Sequence, residues 1–280
     1  MEQIQNNRVI TDLYRENAQF PGIALDGSDV YLCWQRFVDR HDSLMASCRR
    51  GDEVVWEREI SDGGEVLHPV ILAHGGAIWY AWSEYARENW RILARCYRDG
   101  QWGEVLTVAS GEALFFPRLF TWQGRLHVIW TEQHKGSAAA VLCPLTEAGP
   151  GAAETVSAVG EAYRAGAAEG GDGNLYVAYD GFDGKQYKLF ARARTAAGWS
   201  KEIVVSQGED WASTPWIAAK PDGAVVGWYD YGYMAVYSVR SADLTVRDGA
   251  LAAVNPQCLK EGVDWYLDLH VASNASGLQA

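Results

Sequence analysis

Short apolar runs, alternating with polar residues and closed by turn dipeptides, fill this chain from end to end. Residues 21–60 show the unit: Pro21-Gly-Ile-Ala-Leu, a turn at Asp26-Gly27, Val30-Tyr-Leu-Cys-Trp34, a polar stretch, Ser43 to Cys48, a turn at Gly51-Asp52, and Val54 to Ile60. Alternation with a period of two predicts strands, and Asp-Gly accepts the positive φ of a tight hairpin, so the unit predicts four antiparallel strands. The same order recurs through Val70, Ile78–Trp82, Arg91–Cys96 and Trp102–Val108, and then through Arg118, Leu126–Trp130, Ala138–Cys143 and Glu154–Val159. It returns in Leu175–Tyr179, Lys188–Arg194 and Trp199–Val205, and again in Val225–Trp228, Ala235–Arg240 and Leu244–Arg247.

The spacing of these units is regular. Pro21, Pro69 and Pro117 stand 48 residues apart, Ala165 takes the slot after the same step, and Pro215 and Pro256 continue the series. The residues that end each second strand keep step: Trp34, Trp82, Trp130, Tyr179, Trp228 and Leu269. A period of roughly 40–50 residues with four short strands per unit reads as a β-propeller. The expected architecture is one all-β domain over residues 1–280, a six-bladed propeller of four-stranded antiparallel blades; five blades is the alternative. The blades fall at about 21–68, 69–116, 117–164, 165–214, 215–255, and 256–280 joined by 1–20. Residues 7–12 resemble a fourth strand and Pro256–Leu269 a first and second, so pairing the N-terminal strand with the C-terminal segment closes the ring and removes the open sheet edges. In this reading each proline opens a strand, where no ladder donor is lost. The Trp and Tyr residues fill the wedges between blades.

Composition narrows the partners. With 36 acidic against 24 basic residues the formal charge is −12, which repels a phosphate backbone and argues against nucleic acid. No run of 18 apolar residues is present and the amino terminus lacks the apolar core of a secretory signal, so no membrane partner and a cytoplasmic location are expected, or a secreted one if a signal peptide was removed. Cys48, Cys96 and Cys143 recur one repeat apart, too far for disulfides between neighbouring blades, and read as small apolar filler. No two histidines have zinc-ligand spacing, so no cofactor is expected, a structural or site cation being the alternative.

The third-strand ends and following turns carry a resemblance. Residues 95–102 (Arg-Cys-Tyr-Arg-Asp-Gly-Gln-Trp) and 194–199 (Arg-Thr-Ala-Ala-Gly-Trp) resemble the sialidase-like, Asp-box type of β-propeller in degenerate form, lacking the full Ser-x-Asp-x-Gly-x-x-Trp box. The resemblance implies a propeller from a group that includes glycosidases, lyases, lectins and scaffolds. It assigns no sialidase arginine triad or Tyr/Glu pair to residues here.

Function is expected on the face where the loops between second and third strands, and those leading into each first strand, meet around the channel. The candidate ligand-binding residues there are Arg36, His41, His68, Tyr85, Arg87, Arg118, His134, Arg164, Phe182, Trp211 and Tyr231. His41, His134 and His270 are placed where they could meet above the ring. Glu84, Glu132 and Asp230 lie two steps after the strand-ending aromatic and Asp180 one step after it, making loop carboxylates the catalytic candidates. Aromatic rings beside carboxylates suit sugars, whose C–H faces stack while their hydroxyls hydrogen-bond. The leading expectation is binding of a carbohydrate or polyol. The alternatives are a glycoside hydrolase or polysaccharide lyase using these carboxylates, and a protein-interaction scaffold.

Overall fold

The structure, a computed structural model, describes residues 17–61, 63–232, 237–263, 272–274 and 277–279. The described residues fold entirely into strands and turns. The first sheet runs β1 (Asn17–Asp26), β2 (Asp29–Val38), β3 (His41–Arg50), β4 (Glu53–Glu59), each hydrogen-bonded antiparallel to the next. The second holds β5 (Glu65–His74), β6 (Ala77–Ala86), β7 (Asn89–Arg98) and a fourth strand broken into β8 (Gln101–Trp102) and β9 (Leu106–Gly111). The third repeats this with β10 (Ala113–Trp122), β11 (Arg125–His134), β12 (Ser137–Thr146), β13 (Gly149–Pro150) and β14 (Glu154–Thr155). The fourth has β15 (Ala162–Glu169), β16 (Leu175–Phe182), β17 (Tyr187–Thr195), β18 (Gly198–Trp199) and β19 (Ile203–Val204). The fifth is β20 (Trp211–Lys220), β21 (Gly223–Tyr231), β22 (Tyr237–Arg247) and β23 (Ala250–Val263). A hairpin of β24 (Ala272–Asn274) and β25 (Gly277–Gln279) follows, with β24 beside β20.

The first strands β1, β5, β10, β15 and β20 lie side by side in succession, so the sheets radiate from a common axis as propeller blades. Burial follows from this arrangement. The second strands β6, β11, β16 and β21 are buried along most of their length, β6 at every position from Ala77 to Glu84, whereas β2 of the first blade is only partly covered. The strand-ending aromatics fill the wedges as expected. Trp82 packs with Leu44, Ala46 and Ile60 of the preceding blade, Trp130 with Ile92, Tyr179 with Ile129 and Ala140, and Trp228 with Tyr176 and Leu189. Cys48, Cys96 and Cys143 are buried, unbridged thiols in their third strands.

Three sequence-based expectations are corrected. The prolines do not open strands: Pro21, Pro69, Pro117 and Pro215 sit inside β1, β5, β10 and β20 at a β-bulge, which is the other place where a missing N–H costs no ladder bond. The sheets therefore begin before the proline slots. The hairpin of the fifth sheet is at Asp248-Gly249, both residues with positive φ (50° and 76°), so Leu244–Arg247 completes β22 instead of forming a fourth strand. Pro256 lies within β23 and does not open a sixth blade. It follows Asn255 (φ 53°) at a bulge between the pairs Ser241↔Gln257 and Asp243↔Val254, so the local signature of a first strand is used here in an outer one. Residues 7–12 and 265–269, expected to close the ring, lie outside the described residues.

In the first two blades the polar stretches between second and third strands are not long loops. Asp39-Arg40 and Arg87-Glu88 are two-residue turns with φ between 52° and 65°, and the strands extend up to them because their cross-strand partners continue to pair.

Candidate functional site

The bulges build the channel. In each of the five first strands the register breaks at the slot, between Gln19/Gly22, Leu67/Val70, Phe115/Arg118, Tyr163/Gly166 and Ser213/Trp216. The residue before the slot has positive φ in all five: Phe20 (50°), His68 (53°), Phe116 (55°), Arg164 (33°) and Thr214 (52°). A bulge re-aims a side chain that regular pleating would send into the wedge between blades. These five side chains line a cavity of about 570 Å³ together with Arg118 and Trp216.

The cavity has two kinds of wall. On blades one to three His68 lies between Phe20 and Phe116, with ring centroids 4.9 and 4.2 Å away. On blades four and five Arg164 Nη1 donates to Thr214 Oγ1 at 3.3 Å, and Trp216 spreads over Gly227. A Cβ at Gly227 would come within 2.4 Å of that indole, so the ring position requires glycine. Burial, and then the nearby charge of Arg118, pushes the His68 pKa down to about 4, leaving a neutral imidazole. His68 Nδ1 and Trp216 Nε1 are buried and have no hydrogen-bond partner among the described residues.

The four carboxylates expected on loops are on strands, and three are buried and held by arginine. Glu84 on β6 accepts from Arg91 Nη2, its cross-strand partner, and from Trp82 Nε1 at 3.3 Å. Asp230 on β21 pairs with Arg240 at 2.7 Å and accepts from Trp228 Nε1 at 3.4 Å. Asp180 on β16 accepts from Arg164 Nε at 3.2 Å and from Arg164 Nη2. Burial raises the Asp180 and Asp230 carboxyls above their ordinary value, and Arg164 and Arg240 oppose that shift. Glu132 on β11 differs. Ala139 stands opposite it where Arg91 faces Glu84, so it turns to His134 Nε2 at 2.9 Å and leaves Trp130 Nε1 without a partner.

The remaining expected residues fall around this centre. Arg36 donates to Glu59 at 3.2 Å, and His41 lies 3.8 Å from the same carboxylate. His41 and His134 thus have separate carboxylate partners, and His270 lies outside the described residues. Arg87 is at an exposed turn. Tyr85 stacks on Trp90 (5.3 Å), which meets Phe115 (4.6 Å) beside Phe116. A second arc joins Phe182, Tyr187, Trp211 and Tyr231 through centroid distances of 5.5, 5.6 and 5.6 Å. Phe20, Phe116, Thr214 and Trp216 were not among the candidates chosen from the sequence. The first three share the position of His68 and Arg164, one residue before the slot, and that register was the signal available. Among the described residues no three His, Cys, Asp or Glu side chains gather closely enough to hold a metal ion.

No family model and no curated protein matches the chain in sequence. Solved structures are similar to it in three dimensions. An alpha-L-arabinofuranosidase from Lactobacillus brevis superposes with a TM-score of 0.51 at 10% identity, covering 95% of this chain and 94% of that one. A neuraminidase-like protein from A/little yellow-shouldered bat gives 0.56 at 8% identity, with coverage of 88% and 82%. A Mycobacterium tuberculosis puromycin-hydrolyzing peptidase gives 0.57 at 16% identity, where the match covers 90% of this chain and 38% of the peptidase. At these identities the likeness is one of fold: the chain is a β-propeller, and the sialidase-like resemblance read from its third strands holds at that level.

Proposed function

We propose that the protein binds a carbohydrate or related polyol in the mouth of its central channel. The two-sided cavity carries this reading: the edge-on and tilted rings of Phe20, His68 and Phe116 offer an apolar wall for the C–H face of a sugar, while Arg164 and Thr214 offer hydrogen-bonding groups for its hydroxyls. The arabinofuranosidase among the fold neighbours supports a sugar ligand. A scaffold would present a flat apolar patch in place of such a cavity.

Binding is favoured over hydrolysis because Glu84, Asp180 and Asp230 are buried and held in arginine pairs, whereas glycoside cleavage needs two carboxyl groups free to face the substrate. The test is a glycan-binding panel on the wild type and Phe116→Ala. Sugar binding that weakens by about tenfold or more in the variant is expected, given loss of the stacking ring; a panel without any bound sugar refutes the proposal. Glu132, paired with His134, supports hydrolysis as the second reading. Under it Glu132→Gln abolishes turnover of a bound glycan, and under the binding reading no turnover is seen in either protein.

A further inference from the structure

The ends of the second strands carry a repeat that the channel cavity does not use. Three residues beyond each strand-ending aromatic stand Phe37, Tyr85, Gln133, Phe182 and Tyr231, so four of the five blades place a ring at this one position of the unit. In blades two, four and five the cross-strand partner on the third strand is aromatic as well, pairing Tyr85 with Trp90, Phe182 with Tyr187 and Tyr231 with Tyr237. Trp211 stands opposite Tyr231 on the first-strand side. These rings do not fill the core: Phe37, Tyr85 and Trp211 are 44%, 36% and 42% exposed.

Two of the groups lead from solvent to the cavity. From Tyr85 the rings step to Trp90 at 5.3 Å, to Phe115 of the next blade at 4.6 Å and to Phe116 at 6.1 Å, and Phe116 lines the cavity. Across blades four and five, Phe182, Tyr187, Trp211 and Tyr231 form the second arc, and Tyr231 lies within electrostatic reach of the cavity-lining Arg164. One arc ends at the ring wall of the channel and the other at its polar wall. Cross-strand ring pairs also steady a hairpin end, but that role requires neither an open ring surface nor alignment with a cavity.

We infer that the ligand is an oligosaccharide chain, with one unit in the channel and its neighbours laid over the Tyr85 and Trp211 arcs; this rests on the sugar-binding reading above. Successive sugar rings present C–H faces that exposed Tyr and Trp rings cover. A cavity holds one end of such a contact, whereas rings spaced along a path from the cavity to the rim hold a chain. Rings already packed on one another lose little further freedom when a ligand settles on them, so the added contact is gained at low entropic cost. A monosaccharide fills the cavity and leaves the exposed surfaces of Tyr85 and Trp211 in water.

The experiment is calorimetric titration of the full chain with arabino-, galacto-, xylo- and gluco-oligosaccharides of roughly one to six units, the lengths that span cavity and rim. Within a series that binds, affinity should rise at least about tenfold from the shortest to the longest members, each newly covered ring being worth about fivefold. A series whose shortest members do not bind while the longer ones do gives the same result. Tyr85→Ala and Trp211→Ala should each lower the ratio of long-chain to short-chain affinity about fivefold. A role confined to steadying the hairpins lowers Tm in these variants and leaves that ratio unaltered. Affinity independent of chain length, or a ratio unaltered by either substitution, overturns the inference while leaving sugar binding intact. The length dependence is read on the wild type, so a variant that fails to fold does not remove the test. Absence of binding by every member overturns the sugar-binding reading together with the inference.

Discussion

His68 shows how one backbone angle decides a side chain's chemistry. Its positive φ places it between Phe20 and Phe116 instead of in the wedge between blades, and there its ring is desolvated. Burial and Arg118 hold its pKa down at about 4 from the usual 6.5. A histidine depressed in the folded state contributes its full share of stability above the unfolded value. That share is lost as pH falls from 6.5 toward 4 and the unfolded chain takes up the proton more readily. The shift corresponds to roughly 3 kcal/mol at its limit. Denaturant titrations at several pH values should therefore show wild type losing more stability than His68→Phe across this window; parallel profiles would refute the assignment. His68 was recognisable in the sequence as a residue of the channel face, but its neutrality was not, because that depends on two rings brought in from 48 residues away on either side.

Between neighbouring elements, arginines of the third strands tie blade to blade. Arg192 on β17 donates from Nη1 to the Val156 carbonyl of the preceding blade at 2.6 Å and from Nε to the Ser200 carbonyl at 3.1 Å, with Trp199 stacked at 5.3 Å. Arg95 on β7 repeats the device, reaching Gly103 at 2.8 Å and Ile60 at 3.4 Å beside Trp102, also at 5.3 Å. Lysine cannot span two carbonyls and stack in this way. Arg192→Lys should cost about 1–2 kcal/mol in chemical denaturation, the worth of one or two hydrogen bonds to a charged donor; a change below about 0.5 kcal/mol, the level of an ordinary surface substitution, would show that the bridge does not stabilise the ring. Arg95, Trp102 and Trp199 were visible within the degenerate Asp-box pattern, while Arg192, two residues before its second match, and the carbonyl partners in the previous blade were not. The strand bounds were legible where Asp-Gly turns marked them, as at Asp99-Gly100. They were misplaced in the fifth sheet, where Asn255-Pro256 has the form of a first-strand bulge within an outer strand.

For the molecule as a whole, the first strand of the first sheet leaves Ile23 and Leu25 at 65% and 64% exposure, while the first strands of the later sheets pack against a preceding blade. Closure of the ring by the chain ends, as the repeat predicts, would cover this apolar face. Deleting residues 1–16 should then lower Tm by about 3 °C or more, the shift that a loss near 1 kcal/mol gives in a domain of this size, and increase binding of a hydrophobic dye. An unchanged Tm would argue against closure through that segment. The sequence alone determined the repeat, the all-β propeller and the aromatic wedges, because a strand's alternation, its turn dipeptides and a 48-residue step are local properties that no distant contact alters. Tertiary structure decided the site. Whether Glu84 is a free acid or half of a buried ion pair depends on Arg91 across the sheet, and the two walls of the channel arise only when five bulges from five blades converge on one axis.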